Sequence, residues 1–201
     1  MKLYNLTGAC SLVPQITMEW MGVDYELHTL QYPELKAPAY LAINPTGSVP
    51  ALVDGNLTLT QNIAILEYLC ERNPQAGLHG ATVEERAETR RWLAFINADV
   101  HKNFTPVFAP QFYSEDEAFQ QTLANKSKER LVSLFAILDK QLEGRDWLTG
   151  KRSIADPYLY VVLRWAHFKE VNVGSFANLQ RFYRQIDADE GVKRALQKQG
   201  L

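Results

Sequence analysis

The chain of 201 residues is poor in cysteine, with only Cys10 and Cys70. Two cysteines do not make the disulfide framework of a small secreted domain, and at this length a core can be buried without staples. No apolar run approaches the roughly 20 residues that a membrane-spanning helix needs. No basic and apolar leader is expected, because Met1 to Thr7 already reads as a strand. A reducing cytosol is the expected, cytoplasmic location. The formal net charge is only −2, so neither a nucleic acid nor a membrane surface is expected as partner. His28, His79 and His167 show no paired spacing, and no metal site is expected. Internal repeats and low-complexity segments are also lacking. The balance that remains, 46% hydrophobic and 22% charged, is that of an ordinary globular protein.

Charge divides the chain unevenly. Residues 1–80 carry 3 Lys/Arg against 7 Asp/Glu, and residues 81–201 carry 18 against 16. Asn73 to Thr82, with Pro74, Gly77 and Gly80, reads as a linker. Before it the pattern gives a strand from Lys2, a tight connection at Gly8–Ser11, and a helix with Leu12, Ile16, Trp20 and Met21 at helical spacing. A second strand spans Tyr25–Leu30, and a short helical turn surrounds Tyr40–Ile43. Pro50 then leads a strand at Ala51–Val53. Asp54-Gly55-Asn56 supplies a hairpin turn, Leu57–Thr60 alternates, and a helix starts near Asn62, a candidate N-cap. A βαβ unit followed by a ββα unit is the thioredoxin-like order. Beyond the linker nearly everything reads as helix. One runs from Glu84 to about Phe104, with interruptions at Pro106 and Pro110, and another from about Glu115 to Leu142. A third opens on Ser153-Ile154-Ala155-Asp156, a capping box with Asp in the reaching position. Helices from Phe176 and from Gly191 finish the chain. The fold class is α/β plus all-α: a thioredoxin-like domain over residues 1–77, then an all-helical domain over residues 84–201.

Cys10 lies where the first strand hands over to a helix N-terminus. Free amides and the positive dipole end there favour a thiolate, whereas most free cysteines are small buried hydrophobes. A dithiol pair would need Cys-x-x-Cys, and Val13 stands in the partner position, so dithiol exchange here is excluded. Ser11 reads as a helix N-cap. Val49, Pro50 and the amides at Asn62 can bind an extended peptide and its carboxylate. Cys70 lies on an apolar helix face and reads as core. Tyr158 and Trp165 are seven apart on one helix face, which fits core packing equally well as a binding wall.

Five pieces of the sequence, in order, carry a resemblance. They are Gly8-Ala9-Cys10-Ser11-Leu12; Asn44-Pro45-x-Gly47-x-Val49-Pro50-Ala51-Leu52; Thr60-x-x-Ile63-Ala64-Ile65; His101-Lys102-x-Phe104-Thr105-Pro106; and Ser153-Ile154-Ala155-Asp156-x-Tyr158-Leu159 followed by Leu163-Arg164-Trp165. Over essentially its full length the chain resembles the cytosolic glutathione transferases, and within them the bacterial beta class. The resemblance implies a cis Val49–Pro50 peptide, with the Val49 backbone pairing antiparallel with the cysteinyl residue of glutathione. It implies the γ-glutamyl carboxylate at Gln61 and Asn62, the glycyl carboxylate at Lys36, and further glutathione contacts from Asn97 and Lys102. Cys10, Ser11 and His101 take the catalytic positions facing the glutathione sulfur. Phe104, Phe108, Tyr158 and Trp165 take the electrophile wall. Glutathione is the co-substrate and no other cofactor is expected. A homodimer is implied, with part of each site completed across its interface.

The chain departs from the pattern at two places. Gln61-Asn62 stands where relatives carry an acidic residue and then Ser or Gly. Gln61 cannot meet the γ-glutamyl ammonium with a charge, so weaker glutathione binding is expected. Ala94 stands where many relatives have Asn, and Asn97 is the substitute. Three activities follow from the resemblance: conjugation of glutathione to small hydrophobic electrophiles, a reductase or peroxidase working through a Cys10 mixed disulfide, or a binding protein with little turnover.

Overall fold

Burial alternates along β1 (Lys2–Asn5), with Leu3 and Asn5 inside, as a strand's period of two requires. β1 pairs parallel with β2 (Glu26–Thr29). A hairpin cannot join a parallel pair, and α1 (Leu12–Met21) supplies the crossover. After a 3₁₀ turn at Tyr32–Lys36 and the short α2 (Pro38–Leu41), β3 (Ala51–Asp54) pairs antiparallel with β1. β4 (Leu57–Thr60) pairs antiparallel with β3, giving the sheet order β2-β1-β3-β4. The turn between them puts Gly55 at φ 59°, where glycine carries no steric penalty. Leu3 and Leu52 are register partners on one face of the sheet. They pack with Met18 of α1 and with Ile65 and Leu69 of α3 (Asn62–Arg72). The next pair along, Tyr4 and Ala51, turns to the other face and packs with Leu30, Leu35 and Tyr40. Thioredoxin-like order is therefore present, with both sheet faces covered.

The computed structural model describes every residue, Met1–Leu201, and they fall into two units. One is Met1–Ala81 with Asp187–Leu201, and the other is Thr82–Ile186. The second unit is all helix. α4 (Val83–Phe95) runs into a π-helical segment, Ile96–His101, which continues as α5 (Lys102–Phe108). Pro106 is carried inside α5 and does not end it. α6 (Glu117–Gln141), α7 (Ala155–Phe168) and α8 (Ala177–Asp187) complete the unit. α7 buries eleven of its fourteen residues and is its central helix, as a helix apolar nearly all round must be. Half of the expected capping box forms: the Asp156 carboxylate reaches back to Ser153, while the helix itself starts at Ala155 with Ile154 as its N-cap. Asp156 Oδ2 accepts from Ser153 N at 2.7 Å and from Ser153 Oγ at 2.9 Å, and Oδ1 accepts from Leu148 N at 3.0 Å.

The last helix, α9 (Glu190–Gln199), departs from the expected division at residues 84–201: it groups with the first unit. The reason is its packing on α1. A Cβ on Gly191 would lie 2.6 Å from Trp20 Cδ1, so only glycine allows this approach. Trp20 Nε1 donates to Asp189 Oδ1 at 2.7 Å, and Glu19 is held by Arg194 at 3.0 Å and Lys198 at 2.7 Å.

Candidate functional site

In the first unit three irregular stretches converge: the β1–α1 loop, the segment before β3, and the start of α3. Gly8, at φ 73°, turns the chain out of β1. Ala9 N then donates to the Leu6 carbonyl at 3.0 Å, and Leu12 N to the Ala9 carbonyl at 3.1 Å. Cys10 ends up half-buried, and its thiol donates to the Val49 carbonyl at 3.2 Å. The Val49–Pro50 peptide is cis, as the resemblance implies, and Val49 N–H has no acceptor within the chain. The preceding carbonyl, of Ser48, is fixed by Tyr40 Oη and Asn44 Nδ2, both at 2.6 Å. Asn44 lies in the Asn-Pro-x-Gly stretch of the sequence, yet its holding role was not legible there.

The pull of the helix start toward a thiolate at Cys10 is opposed by burial. Burial pushes the thiol up to about 11, and the opposing pull of the Asn62 side chain and of the Cys10 backbone N–H is weaker. The proton is given to a carbonyl, which stabilises the neutral form. At pH 7 the thiolate fraction is on the order of one in ten thousand.

The expected Ser11 cap is corrected. It is 0% exposed, its Oγ donates to Asn5 Oδ1 at 2.7 Å, and it makes no capping bond to α1. Its hydroxyl is committed to Asn5 in the interior and does not cap α1. Asn5, whose amide also donates to Thr29 Oγ1, was not foreseen as its partner.

Asn62 does not cap α3. It is the first helical residue, and Gln61 precedes it at φ 72°. A residue with a side chain rarely adopts that region. The N–H groups of Asn62, Ile63 and Ala64 have no acceptor in the chain, as the first amides of an uncapped helix do not. Asn62 is 4% exposed, and its Oδ1 has no hydrogen-bond partner. Lys36 lies across the neighbouring loop, with Nζ donating to the Thr46 carbonyl at 3.3 Å. A Cβ on Gly47 would fall 2.7 Å from the Leu35 carbonyl oxygen and 2.8 Å from that Nζ, so glycine is required there.

In the second unit the π-helical segment brings Asn97 and His101 to one hydroxyl. Tyr158 Oη donates to Asn97 Oδ1 at 2.8 Å and lies 2.7 Å from His101 Nδ1. With its proton given to Asn97, the hydroxyl accepts from Nδ1–H, which leaves Nε2 of His101 as the acceptor. Burial lowers the His101 pKa to about 4, so the ring is neutral at pH 7. Trp165 stands edge-on to His101 at 4.8 Å, to Phe104 at 5.4 Å and to Phe108 at 5.6 Å. The expected wall is corrected here. Tyr158 is 0%, Phe104 1% and Trp165 9% exposed, so all three are buried, while Phe108 at 40% reaches the surface. Lys102 is exposed. The structure thus brings Cys10, Val49 and Asn62 together in one unit, with Pro50 and Gln61 next in chain. In the other it brings together Asn97, His101, Phe104, Phe108, Tyr158 and Trp165.

A thioredoxin-like unit with one cysteine at its β1–α1 turn and a cis proline before β3, joined to an all-helical unit, defines a class: monothiol proteins of thioredoxin-like fold with a helical domain. Residues 1–71 match the family model of the glutathione S-transferase N-terminal domain, and residues 100–190 that of the C-terminal domain. The chain is 41% identical over 203 residues to glutathione S-transferase GST-4.5 of Xanthomonas campestris pv. campestris, covering 100% of both. A sphingomonad glutathione S-transferase complexed with glutathione superposes with a TM-score of 0.88 at 35% identity, covering 100% of both chains. The bacterial beta-class glutathione S-transferase of Sphingomonas chungbukensis does so with a TM-score of 0.88 at 31% identity, again covering 100% of both. The chain belongs to the glutathione S-transferase family, and its likeness extends to the bacterial beta class.

Proposed function

We propose that this chain conjugates the thiolate of reduced glutathione to small hydrophobic electrophiles. The observation that carries this reading is the open edge of the first unit: an unpaired Val49 N–H beside the cis Pro50, and an uncapped α3 start nearby in the same unit. Extended peptide pairs with such a backbone edge, and a carboxylate suits a helix N-terminus. Val49 N–H and C=O take the cysteinyl residue of glutathione. The free amides of Asn62 and Ile63, with the Gln61 side chain, take the γ-glutamyl end, and Lys36 takes the glycyl carboxylate.

From the helical unit, neutral His101 offers Nε2 as the acceptor for the glutathione S–H, whose proton passes on to solvent as the thiolate forms. Asn97 and Lys102 contact the polar backbone of glutathione, and Phe108, backed by Trp165, takes the electrophile. Binding places the sulfur, and proximity supplies much of the rate. As glutathione takes over the Val49 carbonyl, the Cys10 S–H turns from it and donates to the developing thiolate, staying protonated because its pKa is raised. A Cys10 mixed disulfide is the weaker reading, because exchange needs a thiolate that burial disfavours. The protein acts as a cytoplasmic homodimer in this reading.

The test is turnover of 1-chloro-2,4-dinitrobenzene with glutathione, for wild type and Cys10→Ala. Intact mass is measured on the same samples after exposure to oxidised glutathione. Turnover in wild type, reduced by no more than about a hundredfold in the variant, fits a thiol that donates a hydrogen bond. A reducible adduct on Cys10 without turnover shifts the assignment to redox chemistry. Binding of glutathione with neither makes it a binding protein.

A further inference from the structure

The helix at the far end of the chain reaches the Cys10 loop through a row of buried amides. Gln199 Oε1 accepts from Gly8 N–H at 2.9 Å, Gln199 Nε2 donates to Gln15 Oε1 at 2.5 Å, and Gln15 Nε2 donates to the Ala195 carbonyl at 3.2 Å. Gln15 is 0% and Gln199 8% exposed. Both ends of both carboxamides are engaged, so the row has a single satisfied arrangement, and removing one member strands a buried polar partner. α9 has other ties to α1 besides this row. Trp20 with Asp189, and Glu19 with Arg194 and Lys198, already tie it to α1. The amide row also touches Gly8. Gly8 is the left-handed pivot two residues before Cys10. The other side of the same loop is held by Ser11 Oγ, which accepts from Leu6 N at 3.3 Å and donates to Asn5. Fixed from both sides, the loop sets the Cys10 thiol 3.2 Å from the Val49 carbonyl.

We propose that Gln199 is a positioning residue for Cys10: through the Gly8 N–H it fixes the loop that presents the thiol to the Val49 edge. Its consequence for catalysis rests on reading that edge as the glutathione site, whereas its effect on the thiol does not. Without the anchor the loop relaxes and the thiol loses its carbonyl acceptor. The neutral form is then less favoured, and the sulfur is easier to reach.

The experiment is iodoacetamide alkylation across a pH series, with Cys10 and Cys70 quantified separately by peptide mass, for wild type, Gln199→Leu, Gln199→Asn and Gln199→Glu. Glutathione KM and kcat are measured on the same proteins. Gln199→Leu and the shortened Gln199→Asn are expected to alkylate Cys10 about threefold faster or more at pH 8, with a lower midpoint of the pH profile, while Cys70 is unchanged. In both, KM for glutathione is expected to rise more than kcat falls. Gln199→Glu keeps an acceptor for Gly8 N–H but loses the donor to Gln15 Oε1, so it is expected to lose stability while its Cys10 alkylation profile stays within about twofold of wild type. Cys10 profiles identical to wild type in Gln199→Asn and Gln199→Leu overturn the proposal, whatever happens to thermal stability. If Gln199→Leu does not fold, Gln199→Asn against Gln199→Glu decides the matter alone. If wild type shows no conjugating activity, the alkylation profiles still test this anchor, and only the functional reading of the edge falls.

Discussion

α7 and α3 each follow a short irregular stretch, and their first turns are finished in opposite ways. At α7 the first amides are met: Ala155 N goes to Ser153 Oγ at 3.3 Å, Asp156 N goes to the Ser153 carbonyl at 3.2 Å, Pro157 has no N–H, and the Asp156 carboxylate also holds Leu148 N and Ser153 N in the preceding loop. At α3 the amides of Asn62, Ile63 and Ala64 have no acceptor, the buried Asn62 Oδ1 has no donor, and Gln61 holds a positive φ. A helix start whose donors are used up adds to stability and has nothing left for a ligand. One whose donors are free costs stability and keeps an anion site. The chain builds both, and the difference separates the residues that hold the fold from those that meet a substrate.

The sharpest way to break this contrast is Asp156→Ala. It strands two buried amides and the Ser153 hydroxyl, so denaturant unfolding should show a loss of about 3–4 kcal/mol. The matching change at the open start, Asn62→Ala, should cost within about 1 kcal/mol, because it also removes an unpaired oxygen. Equal losses in the two variants would erase the distinction.

The next effect is in pH. Burial holds Asp156 at about 6 against 3.8, so the folded state binds that proton more tightly and stability falls as pH rises from about 4 to 6. Burial holds His101 at about 4 against 6.5, so its contribution falls as pH drops from about 6.5 to 4. Each contribution is of order 2–3 kcal/mol, and the two oppose each other over most of one window. The Asp156 and His101 contributions should therefore largely cancel between pH 4 and 6. His101→Gln should lose stability with rising pH, and Asp156→Asn should gain it. Slopes of the same sign in both variants would refute the opposition.

Gln61→Glu sharpens the contrast from the ligand side. A charge for the γ-glutamyl ammonium should tighten the glutathione Kd about tenfold or more, as read by calorimetry. An unchanged Kd removes the charge argument for weak binding. The smallest effect is Gln61→Gly, which relieves a positive φ and should stabilise the fold by about 1 kcal/mol in thermal unfolding. A loss instead would mean that the Gln61 side chain supports the turn.

What the sequence made legible was local. The capping box is a three-residue spacing, and the hairpin is a turn flanked by alternation. The Cys10 and Val49–Pro50 positions sit in short motifs whose order carries the family resemblance. What stayed hidden depends on partners far along the chain or on which face meets which surface. Ser11 looked like a cap, but Asn5 takes its hydroxyl in three dimensions. Tyr158 and Phe104 share their helix faces with Trp165 and Phe108, and periodicity cannot say which of a row of aromatics is covered. α9 shows an apolar stripe of Val192 and Ala195, yet nothing in that stripe says that it docks on α1. The Gly8–Gln199 bond joins residues 191 apart, beyond any window of pattern reading. Desolvation of Cys10 is likewise a property of the packed loop, so the helix-start argument for a thiolate had the sign of one contribution right and its rank wrong.

The π-helical segment between α4 and α5 bears on how this chain is lined up with others. A π turn is an α-helix with one residue inserted. In a relative built without the insertion, the helix up to Phe95 and the helix from Lys102 keep their places, but the count between them is one shorter. An ungapped pairing through this stretch then sets His101 opposite a residue that faces elsewhere. A single gap placed among residues 96–101 restores the match. Counting histidines by column position across such relatives would report a lost side chain where only the spacing has changed.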